Sequence, residues 1–252
     1  MKTIVLGDIH GRTCWYDIIM KETPDRIIFM GDYVSTHDKN VTIEQQCSNL
    51  EDILNFKEGF GENCILLRGN HDMQHLGYSW AECSGYFPHV AQWMIGIKDR
   101  FLRLTQWVHI QDDMVFSHAG ISKDFWDYLN LGEPTEDNIL KINDLEPSSL
   151  FGFTPNRISD YYGESTTQPL TWIRPSTLMF CAIPAWNQVV GHTVLKKSIS
   201  KFGNICLAAR GTLSDDVASR INIDELWVVD TLPYRYMVIE NGQKMMREYE
   251  FE

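Results

Sequence analysis

Thr3-Ile4-Val5-Leu6-Gly7-Asp8-Ile9-His10-Gly11 sets a short β-branched, apolar run directly against a glycine turn that carries an aspartate and a histidine. The same grammar returns twice. Arg26 to Met30 runs into Gly31-Asp32-Tyr33, and Cys64 to Leu67 runs into Arg68-Gly69-Asn70-His71-Asp72. Apolar runs of this length bounded by turn residues read as strands. Between them, Trp15 to Lys21 and Thr42 to Lys57 carry apolar residues at helical spacing, with Ile43, Cys47, Leu50, Ile53 and Leu54 tracing one face. A strand-helix-strand-helix-strand order predicts parallel strands joined by crossovers. The turns at the carboxyl ends of such strands line a crevice, so residues distant in sequence can converge there.

Two later segments follow the same rule. Trp107 to Ile110 and Met114 to Ser117, separated by Gln111-Asp112-Asp113, predict a hairpin that delivers His118 in Ser117-His118-Ala119-Gly120. Gln188 to Val190 precedes Gly191-His192-Thr193. Helices are expected around Val90 to Leu104 and over Lys123 to Leu129. Toward the C-terminus, Ser198 to Phe202 with Ile205 to Ala208, and Tyr236 to Glu240 with Lys244 to Tyr249, read as hairpins that predict a second, largely antiparallel sheet. The whole chain, 1–252, reads as one α/β domain with insertions at about 73–105 and 131–176. The second insertion is rich in Pro, Ser, Thr and Asn and reads as a long ordered loop or a cap.

Composition narrows the function classes. With 44% hydrophobic and 22% charged residues the chain is globular, not disordered. A formal charge of −12 without a Lys/Arg cluster argues against binding a nucleic-acid backbone. No apolar run approaches a membrane span, and Met1 to Gly7 enters a strand without the features of a secretory leader, so a cytoplasmic location is expected. The six cysteines lack any C-x-x-C pair and read as reduced thiols in packing positions.

The recurring side chains are carboxylate, imidazole and carboxamide, with no thiolate required. That donor set suits a hard or borderline divalent ion beside a phosphate. Asp8 and His10 flank Ile9, and in extended backbone both point to the same side. Asp32 has two oxygens with which to bridge two ions. Two ions about 3.5 to 4 Å apart can hold a bridging hydroxide as nucleophile and neutralise phosphoryl oxygens. Each segment alone has a plainer reading: Gly-Asp after a strand is a common turn, and Gly69-Asn70-His71-Asp72 can simply cap a helix. Five in order, each ending a strand, favour a shared site.

The ordered set D-x-H, G-D, G-N-H, H and G-H over residues 7–193 resembles the calcineurin-like metallophosphoesterases, and within them the phosphoprotein-phosphatase branch. The resemblance implies two mixed sheets packed as a sandwich flanked by helices, with metals at the strand ends. It implies that Asp8, His10 and Asp32 bind the first metal, and Asp32, Asn70, His118 and His192 the second. Thr193 stands where other branches place a further metal-binding histidine. His71 becomes the general acid that protonates the leaving alkoxide.

The departures carry information too. The branch reads Gly-Asp-Tyr-Val-Asp-Arg-Gly where this chain has Gly31-Asp32-Tyr33-Val34-Ser35-Thr36-His37, so the aspartate that orients the acid histidine and a phosphate-binding arginine are both missing. Asp72 replaces the customary glutamate. Asp72, Ser35 and His37 are the candidates to orient His71. Arg174, in Trp172-Ile173-Arg174-Pro175, resembles a later arginine-bearing segment of bacterial members and is a candidate to grip phosphate in a bidentate fashion. Arg12 is a second candidate, while His75 and Asp38 are taken as structural. Trp80, Tyr86, Trp172 and the Tyr161-Tyr162 pair either line a substrate cleft or anchor loops.

The expectation is therefore a phosphoesterase using two divalent ions, Mn2+ or Fe with Zn2+ admissible, on a phosphorylated protein or small molecule. Two alternatives stand beside it. One is cleavage of diadenosine polyphosphates, other nucleotides or cyclic phosphodiesters; the other is a non-catalytic, metal-binding interaction scaffold. Neither a membrane nor a nucleic-acid backbone is an expected partner.

Overall fold

The computed structural model describes residues 1–36, 38–153, 164–194 and 222–250. Within it the chain forms two compact units, residues 1–106 with 231–252, and residues 107–230. The expected insertion at 73–105 falls inside the first unit and that at 131–176 inside the second.

The first unit opens with β1 (Lys2–Leu6), α1 (Cys14–Glu22), β2 (Arg26–Phe29), α2 (Ile43–Phe60) and β3 (Cys64–Leu66). β1, β2 and β3 are parallel, with Leu6 beside Phe29 and Phe29 beside Leu66. All three runs therefore end at the same edge, which brings their glycine turns together. The strands are buried along nearly their whole length, as a parallel sheet covered on its faces requires. Three more helices follow: α3 (Asn70–His75), α4 (Pro88–Gly96) and α5 (Lys98–Leu104). The single helix expected around Val90 to Leu104 is thus two, interrupted after Gly96.

α2 starts where Thr42 Oγ1 accepts the Gln45 N–H at 3.1 Å, an N-cap. Its buried face differs from the apolar one expected: Leu50, Ile53 and Leu54 are buried, but so are Gln46 and Asn49, and Ile43 and Cys47 are only partly covered. The polar pair is buried because both have partners. Gln46 Oε1 accepts the backbone N–H of Ser35 at 2.8 Å, and Asn49 takes the Trp15 indole N–H at 2.8 Å while donating to the Arg12 carbonyl at 3.1 Å. This face of the helix therefore fastens the loops that follow β1 and β2.

The second unit contains β4 (Val108–Gln111), β5 (Met114–Ser117), α6 (Lys123–Leu129), α7 (Glu136–Leu140), α8 (Pro175–Cys181), β6 (Asn187–Val190) and β7 (Leu226–Val228). β4 and β5 form the expected hairpin. β5, β6 and β7 are parallel neighbours, so this sheet is mixed and not largely antiparallel. The chain then returns to the first unit as β8 (Arg235–Glu240) and β9 (Gln243–Glu248). These form a hairpin about Asn241-Gly242, both at positive φ. It pairs with β1, Val5 opposite Met237, and not with the second sheet. Both sheets are consequently mixed and flanked by helices. The hairpin expected over 198–208, as well as His37, Tyr161, Tyr162 and Cys206, lies outside the described residues. Cys14, Cys47, Cys64, Cys83 and Cys181 are free thiols.

Candidate metal centre

In the first unit the loops after β1 and β2 continue the sheet. The His10 N–H donates to the Asp32 carbonyl at 2.7 Å and the Gly11 N–H to the Tyr33 carbonyl at 2.8 Å. Asp8 and Asp32 are both buried, and ligand atoms of Asp8, His10 and Asp32 lie within 4.8 Å of one another. The means differ from the alternation expected of extended backbone. His10 has φ 46° and Asp32 φ 49°, left-handed values that L residues adopt at a cost. The side chains meet because the backbone coils, not because it is extended.

The His10 ring is set for coordination. Nδ1 lies 3.0 Å from the Val34 carbonyl, to which it can donate, and Nε2 faces Asp8 Oδ2 at 4.0 Å. A bond from Nδ1–H to a carbonyl leaves Nε2 as the free lone pair, the usual arrangement of a metal-bound imidazole. Burial, opposed by the Asp32 carboxylate, lowers the His10 pKa to about 4, so the ring is neutral at physiological pH.

β3 leads into Gly69 and α3. A Cβ on Gly69 would lie 2.1 Å from Asp32 Oδ1, so glycine is what allows the two loops to approach. The His71 N–H donates to Asp32 Oδ1 at 2.9 Å, and His71 Nε2 lies 4.0 Å from Asp32 Oδ2. The rings of His10 and His71 are 5.4 Å apart, edge to face. Asn70, the first residue of α3, is buried beside them.

Asp72 is engaged with main-chain donors. Its carboxylate accepts the N–H groups of Asp32, Tyr33 and Gly69, each at 2.9 Å. The bond to Gly69 caps α3, so the helix-cap reading of Gly69-Asn70-His71-Asp72 holds as well. Ser35 Oγ donates to the Gly85 carbonyl at 2.7 Å. At His71 Nδ1 the neighbour is Cys83 Sγ, at 3.5 Å, a residue that sequence reasoning passed over. Its thiol is hydrogen-bonded by the Asn70 side chain, and burial pushes its pKa up to about 12. Nothing in the 73–105 sequence marks this cysteine out from the others.

Arg12 Nη1 donates to the Asp8 and Ile9 carbonyls at 3.3 and 3.4 Å, which ties its guanidinium to the turn of the first motif. His75 is buried, with Nδ1 on the His71 carbonyl at 2.8 Å and Nε2 taking the Phe87 N–H at 3.1 Å. Buried Arg68 donates to the Leu102 and Thr105 carbonyls, both at 2.8 Å.

His118 and His192 belong to the second unit. They follow the parallel neighbours β5 and β6, and the Gly191 N–H donates to the His118 carbonyl at 2.7 Å. Their rings come within 5.1 Å of each other. His192 is at φ 60°, so it too occupies left-handed backbone. Trp172 packs on the His192 ring at 5.5 Å. Arg174 Nη1 donates to the His192 carbonyl at 3.3 Å and to Thr193 Oγ1 at 3.2 Å, which places the guanidinium beside this pair. Thr193 at the expected histidine position thus receives an arginine bond.

The donors fit divalent cations. Two buried carboxylates and a neutral imidazole within 4.8 Å make a pocket of negative charge that a cation offsets.

No curated protein matches the chain. Among solved structures, a protein serine/threonine phosphatase of Saccharomyces cerevisiae is similar in fold, with TM-score 0.58 and 14% identity over 100% of this chain and 80% of that one. The cold-active protein-tyrosine phosphatase of a psychrophilic Shewanella is similar at TM-score 0.52 and 17% identity, over 97% and 77%. The family model for calcineurin-like phosphoesterase matches residues 1–195, and the chain belongs to that family.

Proposed function

We propose that this protein hydrolyses phosphate monoesters at a site using two divalent metal ions. The observation that carries the reading is the cluster of Asp8, His10 and Asp32 with the His71 imidazole beside it, in a chain of this family. Asp8, His10 and Asp32 are the proposed ligands of one ion; Asp32, Asn70, His118 and His192 are those of the other. Once bound, Mn2+ or Fe would supply an activated water and neutralise the phosphoryl oxygens. Zn2+ is also compatible with these donors.

The chain's own residues do the remaining work. His71 Nε2, on the side of the ring facing Asp32, delivers the proton that the leaving alkoxide needs. Arg174, held beside His192, grips the phosphate, with Arg12 a second contact from the first turn. Asp72 acts through position: three main-chain N–H bonds hold the Asp32 loop against α3. The substrate is a phosphorylated protein or small molecule.

The test is p-nitrophenyl phosphate hydrolysis by protein stripped with chelator and resupplied with Mn2+, with elemental analysis in parallel. Activity is expected only with metal, near two ions per chain. His71→Asn is expected to keep its metal and lose at least ~100-fold in turnover of phenyl phosphate, whose leaving group needs a proton. A metal-loaded but inert protein overturns the reading in favour of a scaffold.

A further inference from the structure

We infer that Cys83 is the positioning residue for His71, its sulfur holding the imidazole from the Nδ1 side so that Nε2 faces the proposed reaction centre. This rests on the proposed role of His71 as general acid and names what serves that acid here.

The geometry assigns the two ring nitrogens to opposite tasks. His71 Nε2 points to Asp32 at 4.0 Å, toward the proposed reaction centre, while Nδ1 points away and meets Cys83 Sγ at 3.5 Å. A thiol can donate its S–H to a ring nitrogen and accept through sulfur. In a histidine that acts as general acid the ring is the imidazolium: Nδ1–H donates to the sulfur, Nε2–H is the proton delivered, and the neutral ring left behind keeps its bond to sulfur.

Cys83 is itself held in place. Its backbone N–H donates to Gln74 Oε1 at 2.5 Å, and Gln74 is buried in α3. Two residues on, the Gly85 carbonyl takes the Ser35 hydroxyl at 2.7 Å. The 83–85 segment is thus pinned to α3 at one end and to the β2 loop at the other. Ser35 turns to that carbonyl, and Asp72 turns its carboxylate to three amides.

The experiment exploits leaving-group chemistry, because a general acid matters for a poor leaving group and hardly for a good one. Cys83→Ala and Cys83→Ser are compared with the parent metal-loaded enzyme on phenyl phosphate and on 2,4-dinitrophenyl phosphate, with His71→Asn in parallel. Cys83 lines a cavity of about 340 Å³, so removing Sγ enlarges a space already present and the variant should fold. Cys83→Ala is expected to lower kcat on phenyl phosphate about 10-fold and on the dinitrophenyl ester less than about 2-fold, with metal content unchanged. Serine, whose hydroxyl oxygen can accept from Nδ1–H, is expected to restore most of the loss.

Equal losses on both esters, or none, overturn the inference. If His71→Asn shows the leaving-group split and Cys83→Ala does not, Cys83 alone loses its role. If neither shows it, the acid role of His71 falls as well.

Discussion

Asp72 Oδ2 accepts the backbone N–H of Asp32 at 2.9 Å, joining two residues 40 positions apart. The same oxygen takes the Gly69 N–H and the other takes that of Tyr33. Asp72→Asn would present an N–H2 group to main-chain donors on one side. A loss of about 1–3 kcal/mol is expected in urea unfolding, since buried N–H groups are left without acceptors. Metal affinity should fall with it. Unchanged stability would show that these bonds contribute nothing net.

Gly69→Ala tests the close approach of the two loops. Its Cβ would lie 2.1 Å from Asp32 Oδ1 and 2.5 Å from Asp32 N, so the Asp32 loop has to shift. Displacing a positioned group by about 1 Å can cost ~100-fold in rate. A loss of that order in kcat/KM on p-nitrophenyl phosphate is expected, with retained circular dichroism. Gly59→Ala, where nothing lies within 4 Å of the new methyl group, is the matched control.

Arg174 is expected to act on phosphate and not on folding. Arg174→Ala should lower kcat/KM by about 10-fold or more, the value of a charged hydrogen bond, and weaken inhibition by inorganic phosphate. Arg174→Lys should recover only part, because an ammonium cannot repeat the planar fork. Phosphate inhibition identical in all three proteins would remove Arg174 from the anion's surroundings.

Glu22 supplies an acid-sensitive clasp. Its carboxylate accepts from Tyr236 Oη at 2.5 Å and Arg247 Nη1 at 2.7 Å and pairs with Lys2, joining α1 to β8, β9 and β1. Burial raises its pKa, but these bonds prevail and bring it from 4.5 to about 2. A folded value below the unfolded one gives stability that is complete above about pH 4.5 and lost as pH falls toward 2. The contribution is at most about 3 kcal/mol, less with solvent screening. Urea unfolding of Glu22→Gln should show a smaller loss between neutral pH and about pH 3 than the parent does. Parallel pH curves for the two proteins would contradict it.

The elements with a local cause were legible from the residues. β1 to β3 announce themselves as apolar runs stopped by glycine, and α2 by Thr42 as its cap. The β8–β9 hairpin was legible as a hairpin because Asn241-Gly242 accepts the positive φ of a tight turn. Its place in the first sheet was not, since Val5 and Met237 meet through a ladder with no local signal. β7 escaped notice because Leu226-Trp227-Val228 is too short to show a period. Of the candidate residues, Asp8, His10, Asp32, Asn70 and His71 in the first unit and His118 and His192 in the second could be picked out because each sits at a strand-terminal turn. The contacts of Asp72 with amides and of Cys83 with an imidazole are tertiary. They depend on which loop lies opposite, and no spacing encodes that.

Three side chains proposed to hold metal, His10, Asp32 and His192, sit on main chain coiled in the left-handed sense. Glycine accepts that conformation without the penalty of roughly 1 kcal/mol or more that an L side chain incurs. A screen for heat resistance conducted without an activity readout would therefore drift toward glycine at these positions. The variants it enriched would be durable and stripped of the proposed ligands, because those side chains occupy the places where the polymer is least at ease.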